Sequence, residues 1–232
     1  MRRYVWYPAL TFILIFLCLS CGIEEYYYLP QVPQPARMFN TEATIILPDK
    51  TGYNFFKYYK IYYKIYLSEN INLNVDDSKT NFSNEYNSDF ALLSPYADPS
   101  NSLASSSIDH IFRNRNFFEL NFLNVSNYLM MPTDNILTIK FSTGSLEYPA
   151  ASLETGQYKD ILLLRSINDP VPNPYFINTD ELRADSKNVD VAQGNGSYSY
   201  VSMYIVAVGY DSDSFAEVYS KPTHINLFKL PD

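Results

Sequence analysis

Side chains able to act as nucleophile, general base or metal ligand are few in this 232-residue chain, and they stand apart. The two histidines, His110 and His224, are widely separated, and both cysteines, Cys18 and Cys21, lie near the N-terminus. The rest of the chain has no thiol, so it can build neither a disulfide framework nor a Cys/His zinc cluster. No Gly-x-Ser-x-Gly sets a serine on a strand-to-helix turn, and none of the 25 acids sits in a context that marks glycoside cleavage. Asp211 and Asp213 in "YDSDSF" could lend oxygens to calcium. Asp and Ser are also turn formers between antiparallel strands, and that is the preferred reading. The expectation is a protein that is not an enzyme and takes no cofactor.

What the chain has in excess is aromatic side chains, 22 Tyr and 15 Phe. They concentrate in "YYKIYYKIYL", residues 58 to 67. At period two this stretch puts Tyr59, Ile61, Tyr63, Ile65 and Leu67 on one face and Tyr58, Lys60, Tyr62, Lys64 and Tyr66 on the other. The first set reads as a core face. The second reads as a wet face with Lys60 and Lys64 solvent-exposed, because lysines in hydrocarbon are costly. The segment is thus expected to be a strand, neither a membrane span nor a surface helix. Tyr58, Tyr62 and Tyr66 are the candidate binding surface, since exposed tyrosines contact sugar rings or partner proteins over large areas at low entropy cost.

A chain with 47% hydrophobic and 18% charged residues is ordinary for one that buries a core. Its formal charge is −8, and losing a leader with Arg2 and Arg3 removes two positive charges to give −10. Such a surface repels phosphate backbones, so no nucleic acid is expected as partner.

The chain opens "MRRYVWYPALTFILIFLCLSCG". A positive n-region precedes a largely apolar run from Ala9 to Leu19, which suits a signal-peptide h-region but is shorter than the roughly 20 residues a spanning helix needs. The segment "LCLSCG" resembles a bacterial lipobox, in which a small residue, here Ser20, precedes the cysteine that receives lipid. Cys18 and Leu19 depart from the common pattern, and the relaxed form is similar to that of spirochaete-type lipoproteins. The resemblance implies a signal peptide over 1–20 and lipidation at Cys21, with an uncleaved N-terminal helix or lipid-free secretion as alternatives. Gly22, where a retention signal would carry Asp, favours an outer membrane over an inner one. Residues 21–40, with Pro30, Pro33 and Pro35, read as an extended tether, or with Tyr26 to Leu29 as an edge strand. "NFS", "NVS" and "NGS" match a glycosylation sequon at Asn81, Asn124 and Asn195, which means little in a bacterial lipoprotein.

Beyond the tether, "ATIILPDKTGYNFFK" reads as a short strand, a turn and the entry to the tyrosine strand, paired as a hairpin or as neighbours. "YVSMYIVAVGYDSDSFAEVYSKPTHINL" repeats the plan near the C-terminus. Tyr204, Val206 and Val208 form Tyr-x-Val-x-Val, which resembles strand F of fibronectin type III domains and implies a corner tyrosine at 204, its hydroxyl bonded to backbone near 194–198. "TIILP" resembles strand B, with Leu47 where Trp is usual, "KYYKIYYKIY" resembles strand C, and "VYSKPTHI" resembles strand G. An unclassified β-sandwich is the alternative.

Between the C-like and F-like strands, residues 70 to 90 read as a loop or irregular hairpin. "DPSNSLASSSIDHIFRN" reads as one helix, with Asp98 as cap and Pro99 in the first turn. Strand-like runs follow at "FFELNFL", "NILTIKFS", "DILLLRS" and "PYFI". The expected fold is all-β or β-dominated: an immunoglobulin/fibronectin III-like sandwich over 41–232, with an insertion at about 70–195 containing one short helix. The expected role is that of a lipid-anchored envelope protein, binding or structural, with an envelope protein or glycan as partner. A small-ligand or carbohydrate-binding lipoprotein is the alternative, and an envelope enzyme stands third.

Overall fold

The computed structural model describes residues 29–35, 37–38, 41–49, 53–69, 84–97, 107–122, 135–141, 151–155, 158–165, 176, 182, 188–194, 196–213 and 215–230. Strands dominate, and they form two antiparallel sheets.

The first sheet is built on two long strands, β3 (Phe56–Ser68) and β9 (Tyr198–Asp211), which pair along nearly their whole length with Tyr62 opposite Tyr204. On its far edge β9 pairs first with β11 (Thr223–Lys229) and then with β10 (Ala216–Tyr219). The far edge of β3 carries β4 (Phe118–Glu119) and then a parallel bridge from Ile65 to Val191. The second sheet runs β1 (Arg37–Met38), β2 (Glu42–Ile46), β6 (Ile136–Phe141), β7 (Ala151–Thr155), β8 (Tyr158–Leu164), β5 (Asn121–Phe122). β4 and β5 are separated by Leu120 alone, yet they belong to different sheets, so the chain turns a corner there. Leu120 is buried and its N–H donates to Ile61 O at 2.8 Å.

The sheets close on a shared core. Ala43, Ile45, Leu137, Ile139 and Phe141 from one meet Tyr59, Ile61, Tyr63, Ile65, Val201, Met203, Ile205 and Phe228 from the other. Phe141 stacks on Phe228 with ring centroids 4.6 Å apart. This is a β-sandwich, and the segments expected as strands C, F and G lie side by side in that order while the B-like β2 faces them. Leu47 is buried in the same core. β2 and β3, expected as a hairpin or as neighbouring strands, are neither: the chain between them crosses from one sheet to the other.

The outer face of the β3/β9 sheet is covered by two helices, α1 (Asn84–Ala97) and α2 (Ser107–Asn114). One was expected, so α1 is a correction. Among its described side chains the buried ones are Tyr86, Asp89 and Leu93, at helical spacing. Because an aspartate occupies one of the three, the apolar periodicity that announces a helix is broken. In α2, Ile108 and Phe112 are buried one turn apart, as the sequence pattern requires. Asp98 and Pro99, expected to start that helix, lie outside the described residues.

Of the expected tether, 21–40, residues 29–35 and 37–38 are described: Leu29 and Val32 are buried in the main core, and Arg37–Met38 pairs with β2 rather than hanging free. Among the described residues no helix is long and apolar enough to cross a membrane. The N-terminal apolar run lies outside them.

Candidate functional site

Period two sorts β3 into two faces as expected, but both faces are covered. Tyr59, Ile61, Tyr63 and Ile65 enter the sandwich core, with Leu67 partly buried against it. The expectation that Lys60 and Lys64 are solvent-exposed is overturned: they are 7% and 2% exposed. Tyr62 and Tyr66 are equally buried and Tyr58 is half-buried, so the three rings form no open binding surface. The reason is the position of β3, which is interior to its sheet and roofed by helices.

Beneath α1, Lys64 Nζ lies 2.7 Å from Asp89 Oδ2, 2.7 Å from Glu85 Oε1 and 2.8 Å from Arg115 O. The hydroxyl of Tyr66 donates to Asp89 Oδ2 at 2.8 Å, and Arg115 Nη1 stands 3.5 Å from Asp89 Oδ1. Two acids, two cations and a phenol thus share one node, in which Lys64, Asp89 and Tyr66 are buried while Glu85 and Arg115 close it at a partly exposed rim. Desolvation, followed by the Asp89 charge, pushes the Tyr66 phenol well above the ordinary tyrosine range, so it stays a proton donor.

A second node sits under the β10 edge. Lys60 Nζ is 3.1 Å from Glu217 Oε2, 3.3 Å from Tyr219 Oη and 3.9 Å from Glu119 Oε2. Tyr58 and Tyr219 both donate to the Glu217 carboxylate. Burial alone would raise Glu217, but hydrogen bonds from Tyr219, Tyr58 and Lys60 hold it below the usual carboxylate range. Glu119 moves the other way, since its desolvation outweighs the attraction of Lys60. Nearby, Tyr62 donates to Asp109 Oδ1 at 2.6 Å, and Asp109 pairs with Arg113 at 2.8 Å within α2.

A third node lies on the opposite, inner face. Arg165 Nε donates to Asp190 Oδ2 at 2.8 Å and Arg165 Nη2 to Asn188 Oδ1 at 2.9 Å, while Tyr63 donates to Asp190 Oδ2 at 2.9 Å. Asp190 is fully buried, and its carbonyl accepts from the Ile65 N–H at 2.9 Å. Nothing in the sequence linked residues 165 and 190 to the tyrosine strand. Only the bridge at Val191 brings them there.

The structure also joins one pair that the sequence keeps apart: His224 Nε2 lies 3.1 Å from Ser202 Oγ. A serine and a histidine in contact invite comparison with an activated nucleophile. Ser202, however, is fully buried in the middle of β9, where no acyl carbon can reach it. At the surface beside His224, Phe90 is 41% exposed and meets the imidazole edge-on at 5.5 Å, and Tyr86 stacks on Phe90 at 5.9 Å.

Asp211 Oδ1 accepts the N–H of Asp213 at 2.8 Å, so the acids of "YDSDSF" build the turn between β9 and β10. No group of metal-binding side chains occurs among the described residues. Tyr204 is buried as a corner tyrosine would be, but it lies mid-strand between Phe112, Phe117 and His224. Its hydroxyl bonds Ser202 rather than backbone at 194–198, which borders Leu67 and Ser68 further along the sheet. Cys21 lies outside the described residues, as do Asn81, Asn124 and Asn195. His110 is exposed on α2, 2.9 Å from Asn114.

Comparison with protein-family models, with curated proteins and with solved structures finds no match to this chain.

Proposed function

We propose that the protein is a lipid-anchored component of a bacterial cell envelope, acylated at Cys21, whose sandwich has a binding or structural role rather than a catalytic one. The observation that carries this reading is the order of the N-terminal signals: Arg2 and Arg3, an apolar run ending at Leu19, then Ser20 and Cys21. The outer membrane is favoured by Gly22. The chemistry of the sandwich supports a scaffold, because Lys60, Lys64 and Arg165 are each engaged by carboxylates of the same chain. Cys21→Ser, expressed in a lipoprotein-processing bacterium, is expected to stay unprocessed and to take up no radiolabelled palmitate. Normal processing and labelling of that variant would refute the anchor.

A second reading, a carbohydrate-binding lipoprotein, is favoured by the exposed Phe90 ring backed by Tyr86 and His224. Aromatic faces with a polar neighbour suit sugar rings. Envelope oligosaccharides titrated against the protein should then shift the Phe90 and His224 ring resonances, and Phe90→Ala should abolish the shifts. Unmoved resonances at millimolar sugar would exclude it.

A further inference from the structure

We infer that residues 29–35 are a fastened clasp that holds one corner of the sandwich, Ser220 to Thr223, against the lipid surface. This rests on acylation at Cys21. The fastening itself is on the page: Leu29 and Val32 are buried in the main core, at 3% and 1% exposure. Gln31 Nε2 donates to Pro222 O at 3.0 Å and lies 3.3 Å from Thr223 Oγ1, and the Thr223 hydroxyl donates to Val32 O. Thr223 begins β11 in one sheet, and Arg37–Met38 pairs with β2 in the other, so the segment passes from one sheet to the other.

The consequence is geometric. A tether free as far as residue 40 would reach roughly 65 Å from Cys21. Fastened at Leu29, eight peptide steps remain, and they reach at most about 29 Å. A body of some 200 residues has a radius of gyration of about 16 Å and hence a diameter of about 40 Å. That reach is shorter than the body is wide. The domain therefore cannot turn the clasped corner to its far side, and the corner is kept on the side of the body that faces the lipid headgroups.

The test uses the full-length acylated protein in phosphatidylcholine vesicles. After leader removal and acylation of Cys21 the chain has no free thiol, so Lys221→Cys takes a single fluorophore at the clasped corner. Headgroup nitroxide lipids are expected to quench it strongly, and several-fold less once Leu29→Asp with Val32→Asp opens the clasp. Should that double variant not fold, Gln31→Ala with Thr223→Val, which strips only the polar fastenings, replaces it. Equal quenching with the clasp intact and opened, in protein that carries palmitate, overturns the inference. Protein that takes up no palmitate sinks the anchor and the orientation together. Limited proteolysis of the soluble chain then still separates the two ideas, because cleavage within 29–35 in the unaltered protein would show that no clasp exists.

Discussion

Lys64 brings its charge to a place only 2% exposed, and it is tolerated there because Asp89, Glu85 and the Arg115 carbonyl take all three of its protons. Buried pairs of this kind contribute little net stability, but losing one partner strands the other. Lys64→Met should therefore destabilise the fold by about 3–5 kcal/mol in chemical denaturation, and Lys64→Met with Asp89→Leu by clearly less than the sum of the two single changes. Additive losses would mean that the pair is not coupled. A corner tyrosine at 204 and a wet face bearing Tyr58, Tyr62 and Tyr66 would together make Tyr204→Phe the costliest of the four changes, and the buried phenols reverse that order. Tyr66 and Tyr62 donate to Asp89 and Asp109, whereas Tyr204 bonds a neutral serine. Tyr66→Phe should cost about 1–3 kcal/mol and Tyr204→Phe less, since hydrogen bonds to charged groups are the stronger. A larger loss at Tyr204 would restore the corner-tyrosine reading.

At the scale of elements, what the sequence made legible was whatever a regular period could carry. The alternation of residues 58–67 divides β3 correctly, and the apolar run of β9 marks a strand buried on both faces. Helix α1 was hidden because its inward face spends a position on Asp89, and the lysines of β3 were misjudged because their partners come from α1 and β10. Alternation assigns a side chain to a face; it says nothing of what covers that face. Phe112 shows how α2 is fixed, for it is fully buried and stacks on Tyr62 at 4.4 Å with the rings nearly parallel. Phe112→Ala is expected to cost about 3–5 kcal/mol. Its α2 amides should exchange with solvent much faster while those of β2 and β6 do not, and unchanged exchange in α2 would refute the packing role. Gly196 is fixed differently. A Cβ there would stand 2.1 Å from the Ser68 carbonyl carbon, and backbone cannot yield as a side chain does. Gly196→Ala should thus destabilise by about 1–3 kcal/mol, and more than Gly194→Ala, whose Cβ would meet Leu67 O at 3.1 Å.

The whole molecule is a sandwich whose second layer of packing, the helices on the β3/β9 sheet, is made of tyrosines and charges as much as of aliphatic side chains. Its response to alkali follows from that. Tyr59, Tyr62, Tyr66, Tyr86, Tyr204 and Tyr219 all have phenols raised above the ordinary value of 10.0, with burial as the largest cause in each. In the unfolded chain the same groups ionise near 10. Below that pH both states are protonated and the six contribute no pH dependence. Above it the unfolded chain sheds protons that the folded one keeps, so stability falls as pH rises. The six phenols should accordingly ionise only together with loss of the near-ultraviolet circular dichroism signal. That joint transition should move to lower pH in Lys64→Met, which already carries a weakened α1 interface. A single smooth titration of all 22 tyrosines, with the fold intact throughout, would mean that the rings packed under the helices are open to water.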